Sequence, residues 1–164
     1  MLRDVCGISI NSGGYYLSYI VEAIKTGRIG YDRDGMEILL NDRQLSKIIE
    51  AILIGIPLPS AYINTMSEEF HWEAITGHTV LEAVNRFIIK QDLVLEGLKL
   101  VPELNGLYFN DLSIHQRNII FDTRWELIRL DKSTNSSFTK EMNSKVSFHI
   151  REDIFAIVKE FNAC

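Results

Sequence analysis

The sequence predicts an α+β fold, and three observations carry that expectation. Apolar residues recur at helical spacing in several segments and alternate at strand spacing in others, and the two kinds do not alternate strictly along the chain. Two strand candidates, "AYINT" and "FHWEAI", lie close enough to form an antiparallel hairpin through "MSEE". The chain has 164 residues, of which 46% are hydrophobic and 24% charged. That is enough for one domain around one sizeable core.

The elements follow in order. "YYLSYIVEAIKT", residues 15–26, sets Tyr16, Ile20, Ala23 and Ile24 at helical spacing, with Gly27 as a stop signal. "RIGYDRDGMEILL" is punctuated by glycine and ends in an apolar run, so it reads as a turn and then a strand. Asn41 or Asp42 can cap the next helix by accepting backbone N–H bonds. In that helix Leu45, Ile48, Ile49, Ile52 and Leu53 form one stripe, and Gly55 ends it. "GIPLPS" is stiff and non-helical, because each proline fixes its own φ and extends its predecessor. After the hairpin, a helix over 78–90 turns Val80, Leu81, Val84, Phe87 and Ile88 inward. Asn105-Gly106 marks a tight turn between "LKLVPEL" and "LYFNDL". Ser113 caps a helix over "IHQRNIIFD", and "RWELIRL" reads as a strand with both faces partly covered. "DKSTNSS" is a polar loop, and Ile150 to Phe161 reads as a helix. The sequence has no internal repeat and no low-complexity tract.

Composition narrows the function classes. No run of roughly 18 apolar residues exists, so no membrane span is expected. Cys6 and Cys164 form no framework and no zinc motif, and free thiols in a reducing cytoplasm are the expectation. The four histidines fit no common metal spacing, and no metal site is expected. A net charge of −5 without a Lys/Arg cluster makes nucleic acid a doubtful partner for this domain alone. A protein partner or a second copy of the chain remains open.

The stretch with most to say is "FHWEAITGHTVLEAVNRFIIK", residues 70–90. Strand, glycine turn and amphipathic helix make a layout that holds phosphate in many proteins. Thr76, Gly77, His78 and Thr79 are the candidate residues. Thr76-Gly77 also reads simply as a helix cap and turn, and His78 and Thr79 as solvated first-turn residues. Arg86 is expected in solvent or paired with Glu82 at i,i+4. Arg117 reads as an exposed helix residue.

Four segments in order carry a family resemblance: "LNDRQLSKIIEAILIGIPLPSAYI", "WEAITGHTVLEAVNRFI", "LNGLYFNDLSIHQRNII", and "RWELIRLD" with a later "IFAIVKEFN". Together they resemble the N-terminal domain of GmrSD-type, modification-dependent restriction proteins, a branch of the ParB/sulfiredoxin-like superfamily. The likeness runs from about residue 36 to 131, with "IIEAILIGIPLP" and "LNGLYFNDL" its most specific parts. It implies a small mixed or antiparallel sheet with helices around it, over a single domain spanning 1–164. Relatives continue beyond the segment matched by "IFAIVKEFN". The resemblance also implies a site that binds and hydrolyses a nucleoside triphosphate with Mg²⁺, linked to restriction of foreign DNA in the cytoplasm.

In the family that site uses a DGQQR loop and an earlier Gln-Arg stretch. Laid on the loop motif, Thr76 takes the place of the Asp and Gly77 is kept. His78 and Thr79 replace the two Gln residues, Val80 replaces the Arg, and Leu81 matches the Leu that follows. At the earlier stretch Gly35-Met36 fall on the Gln-Arg, and Arg33 substitutes if the alignment slips by three residues. "GHTVLEA" also resembles the helix start of other ParB-like domains, where an Arg again stands at the position of Val80. The acid and the Arg are therefore missing, and a degenerate, catalytically inactive binding or regulatory module is the expectation. The alternatives are an active hydrolase or nuclease using Arg33, His78 and a displaced acid such as Asp32 or Asp34, and a structural interaction domain without a ligand. Glu50 matches a family Glu, and either is buried against the motif loop or sits at the helix edge.

Overall fold

The computed structural model describes residues 10–31, 41–65 and 71–130. They form a five-stranded mixed sheet and four α-helices, an α+β architecture. In chain order the elements are β1 (Ile10–Tyr16), α1 (Leu17–Lys25), β2 (Ile29–Gly30), α2 (Asp42–Leu53), β3 (Ala61–Thr65), β4 (Trp72–Ala74), α3 (His78–Val84), α4 (Ile114–Asp122) and β5 (Arg124–Leu130). Helix α3 runs straight on into a π-helical segment, Asn85–Ile89. The strand order is β1-β5-β3-β4-β2. β5 lies antiparallel to β1 and parallel to β3, β3 and β4 are antiparallel, and β4 and β2 are parallel.

Local chemistry sets most boundaries. Asn41 accepts the Gln44 N–H while the Gln44 side chain accepts from the Asn41 N–H, a capping box that starts α2. Ser113 and Gln116 do the same for α4. The expected stripe of α2 is in the core, with Leu45, Ile49 and Ile52 essentially inaccessible. The "AYINT" and "WEA" segments pair antiparallel, Ile63 opposite Ala74 and Thr65 opposite Trp72. Asn105-Gly106 makes the expected turn. Two backbone bonds tie the turn to Leu95, from the Leu95 N–H to the Leu107 carbonyl and from the Gly106 N–H to the Leu95 carbonyl. The Asn105 side chain there bonds both the N–H and the carbonyl of Leu98. Among the described residues no helix is long and apolar enough to cross a membrane.

Three expectations need correction. The helix predicted from residue 15 starts at Leu17, because Tyr15 and Tyr16 belong to β1 and pair with Trp125 and Arg124. The glycines ahead of them do not end the strand. A Cβ on Gly14 would meet the Arg124 guanidinium at 2.6 Å, so this glycine lets the arginine cross to the Tyr16 ring. The helix predicted over 78–90 is α-helical only to Val84 and then widens, with the Lys90 N–H bonded to Asn85. Phe87 and Ile88 remain in the core, as their spacing demands. Arg86 does not pair with Glu82. It bridges Asp42 at the start of α2 and Asp92 beyond the π-helix. The hydrogen bond that the Arg86 guanidinium donates to Asp42 holds it above the ordinary arginine range, and the bond to Asp92 adds to this. In "RIGYDRDGMEILL", read as a turn and then a strand, Ile29–Gly30 already form β2 by pairing with β4, and its residues 32–40, like the helix predicted over 150–161, lie outside the described residues.

Beneath α2 lies a buried carboxylate. Glu50 is 1% exposed, and its Oε1 accepts from the N–H groups of Lys99, Leu100 and Val101 at 2.9, 2.7 and 3.3 Å. Of the two readings of Glu50, burial holds, but its partner is the segment before the first 3-10 turn and not the loop at Gly77. On the same helix, burial and the neighbouring Lys99 pull the Lys47 pKa below the ordinary lysine range, with Glu50 opposing. Charge-assisted bonds of this kind are worth more than neutral ones. Glu50→Ala should therefore cost about 2–4 kcal/mol of unfolding free energy and Glu50→Gln less. Urea unfolding of the two variants checks both the size and the order.

Candidate functional site at the Gly77 turn

β4 delivers the chain into Ile75-Thr76-Gly77, and three bonds fasten this turn to one residue of β3. The N–H groups of Ile75 and Thr76 both donate to the Tyr62 carbonyl, at 2.8 and 3.1 Å. The Tyr62 N–H donates to the Thr76 hydroxyl oxygen at 2.8 Å. Thr76 is thus a buried side-chain acceptor for a strand. It is not the helix cap its sequence position suggested. The N-cap is Gly77 itself, without a side-chain bond.

Gly77 has φ +81°, a conformation that costs any residue with a Cβ. Space imposes a second constraint. A Cβ there would lie 2.7 Å from the Ala61 methyl and 2.7 Å from the six-membered ring of Trp125. Trp125 is 1% exposed, and its indole N–H donates to the Pro59 carbonyl at 2.8 Å. The stiff "GIPLPS" loop, β5 and the turn therefore meet at one point. In a phosphate-binding turn the missing glycine side chain leaves room for a ligand. At Gly77 the protein's own ring and methyl fill it.

Beyond the glycine, the candidate residues point to different tasks. His78 is buried, against the expectation of a solvated first-turn residue, and its ring meets Tyr31 edge-on at 6.4 Å between centroids. The Thr79 hydroxyl oxygen is buried without a hydrogen-bond partner. Val80 is 2% exposed in the core. Arg33, Asp32 and Asp34 lie outside the described residues. Arg117, expected in solvent, has a buried Nε without a partner.

The structure also brings together residues the sequence reading missed. His78, Glu82 and Asn85 stand at i, i+4 and i+7, so they share one side of the helix, and all three are buried. The Tyr31 hydroxyl donates to a Glu82 carboxylate oxygen at 2.7 Å and accepts from the Asn85 amide at 2.8 Å. The signal was the spacing itself: polar residues at 78, 82 and 85 lie between apolar ones at 80, 81, 84, 87 and 88. Such a helix is buried nearly all round. π-segments often occur at functional sites, and Asn85 opens this one.

Chemically, the face offers an imidazole, a carboxylate, a phenol and an amide. The phenol both donates and accepts. At the turn itself Thr76 and Val80 carry no charge. No group of three or more His, Cys, Asp or Glu placed to hold a metal ion occurs among the described residues. Comparison of the chain with family models, curated proteins and solved structures returns no match.

The Thr76 acceptor can be tested by two substitutions. Thr76→Val is close in shape but leaves the buried Tyr62 N–H without an acceptor, a loss of about 1–3 kcal/mol. Thr76→Ser keeps the oxygen and should retain most of the stability. Stability kept in Thr76→Val and lost in Thr76→Ser, read from thermal melts, would show that the methyl, and not the bond, matters.

Proposed function

We propose that this chain is a degenerate relative of the GmrSD N-terminal domain that has lost catalysis and serves as a binding or regulatory module. The observation that supports this most is the use made of the two motif positions. Transfer chemistry on a phosphate needs charge placed to neutralise what develops in the transition state, and commonly an acid to hold metal or water. Thr76 instead bonds a strand N–H, and Val80 packs in the core. Gly77 survives because packing requires it. What remains of the motif is the part a fold keeps, and the part that chemistry needs is gone. The reading puts the protein in the cytoplasm, in restriction or phage defence, acting on a protein partner or a second copy of itself. A nucleotide held by Thr76, Gly77, His78, Thr79 and Arg33 is the small-molecule alternative.

A second reading, an active nucleotide hydrolase, draws on the buried imidazole and carboxylate of His78 and Glu82, one helical turn apart. Two measurements on the purified chain separate the readings. Phosphate release from a panel of nucleoside triphosphates with Mg²⁺ should not rise above the protein-free rate. Turnover that disappears in His78→Ala would overturn the inactive reading. Thermal melting with the same panel reads binding alone. A nucleotide at a hundredfold its dissociation constant stabilises by about 2.7 kcal/mol, a shift of several degrees. A chain whose melting no nucleotide moves is left with a macromolecular partner.

A further inference from the structure

Away from the Gly77 turn, one cluster of side chains has no task so far. Tyr15 on β1, Tyr19 on α1 and Trp72 on β4 pack together, each half-buried. Tyr15 meets Trp72 edge-on at 5.3 Å between centroids, Tyr19 lies 5.5 Å from Tyr15, and Tyr19 lies 6.2 Å from Trp72. Arg28 sits 5.6 Å over the Tyr19 ring and donates to its hydroxyl at 3.1 Å. Arg129 sits 5.8 Å over the Trp72 ring.

The charge balance around these arginines is unusual. The chain carries 22 acidic residues against 17 basic ones, yet neither Arg28 nor Arg129 pairs with a carboxylate of the described residues. The Nε of Arg129 is buried and donates to nothing. Buried donors are almost always bonded, so an orphan one asks for an acceptor. The nearest acid in sequence to Trp72 is Glu73, and it is engaged by His71 at 2.9 Å. The other ring nitrogen of His71 faces the Gly27 carbonyl at 3.1 Å.

We propose that this cluster docks single-stranded nucleic acid. Aromatic rings and guanidinium planes stack unpaired bases, and guanidinium groups bond backbone phosphates. The arrangement favours a strand over a mononucleotide. The two arginines lie over different rings, so a ligand that engages both spans two aromatic platforms, as successive nucleotides of a strand do. A duplex keeps its bases stacked and offers no faces to the rings. A quaternary ammonium would meet two cations already on the rings. The overall charge of −5 keeps the binding weak, local and salt-dependent. The inference does not depend on the reading of the Gly77 turn.

The test is a fluorescence titration of the whole chain. Trp125 is buried and hydrogen-bonded, so Trp72 reports on the surface, and Trp72→Phe gives the baseline. A short single-stranded oligothymidylate should quench Trp72, and affinity should fall as salt rises. Arg28→Ala, at an exposed position, should weaken binding severalfold while leaving the melting temperature in place. Adding Arg129→Gln should bring the loss to roughly tenfold or more, the scale of one lost stacking contact. No quenching by the single strand, equal affinity for thymidine monophosphate or for the matching duplex, or unchanged affinity in folded Arg28→Ala would each overturn the proposal.

Discussion

The ring of Trp125 stands where a side chain at position 77 would have to go, and the arrangement of the site depends on that. Gly77 accepts the ring and the Ala61 methyl at the same place where its φ of +81° starts α3. The indole N–H reaches the Pro59 carbonyl, which ties the proline loop to β5. Tyr62, one residue beyond Ala61, holds the turn through its N–H and its carbonyl together. Two neighbouring residues of β3 thus fix where the helix begins and which way it leaves the sheet.

That direction decides what α3 can present. Its apolar residues fill the core, and Phe87 continues into a chain of edge-on rings through Phe109 to Phe121. With the helix buried on nearly every side, its polar residues need partners inside the protein, which the Thr79 hydroxyl lacks. Tyr31 meets that need for Glu82 and Asn85. Arg86, on the open side, clamps the π-segment to α2 through Asp42. A turn packed from within and a helix bonded from within describe a scaffold. They support the reading of a module whose partner is met elsewhere on the surface.

Much of this was legible in the sequence, for reasons that differ by residue. Helix starts at Asn41 or Asp42 and at Ser113 were readable because a capping residue stands just before the helical segment, and the return bond from Gln44 decides for Asn41. The hairpin of "AYINT" with "WEA" was readable because alternation and proximity agree. The start of α1 was not, since Tyr15 and Tyr16 fit a helical stripe as well as a strand, and only pairing with β5 decides. The role of Thr76 was hidden for a similar reason. A threonine before a glycine and a helix looks like a cap, while its true partner, the Tyr62 N–H, lies 14 residues away. Glu50 and His78 were ambiguous because a polar residue at the edge of an apolar stripe can face either way. The buried side of α3 was written in the i, i+4, i+7 spacing of His78, Glu82 and Asn85, but reading it requires knowing that the opposite side is also covered.

The claim that the site is built around Trp125 filling the space at Gly77 is best tested by a double-mutant cycle. Gly77→Ala alone should cost about 2–4 kcal/mol, combining left-handed strain with overpacking. In a Trp125→Phe background the ring recedes, and the same substitution should cost at least about 1 kcal/mol less, a coupling typical of residues in contact. An identical cost in both backgrounds would mean that backbone conformation and the Ala61 methyl, and not the ring, require the glycine, and would contradict the account.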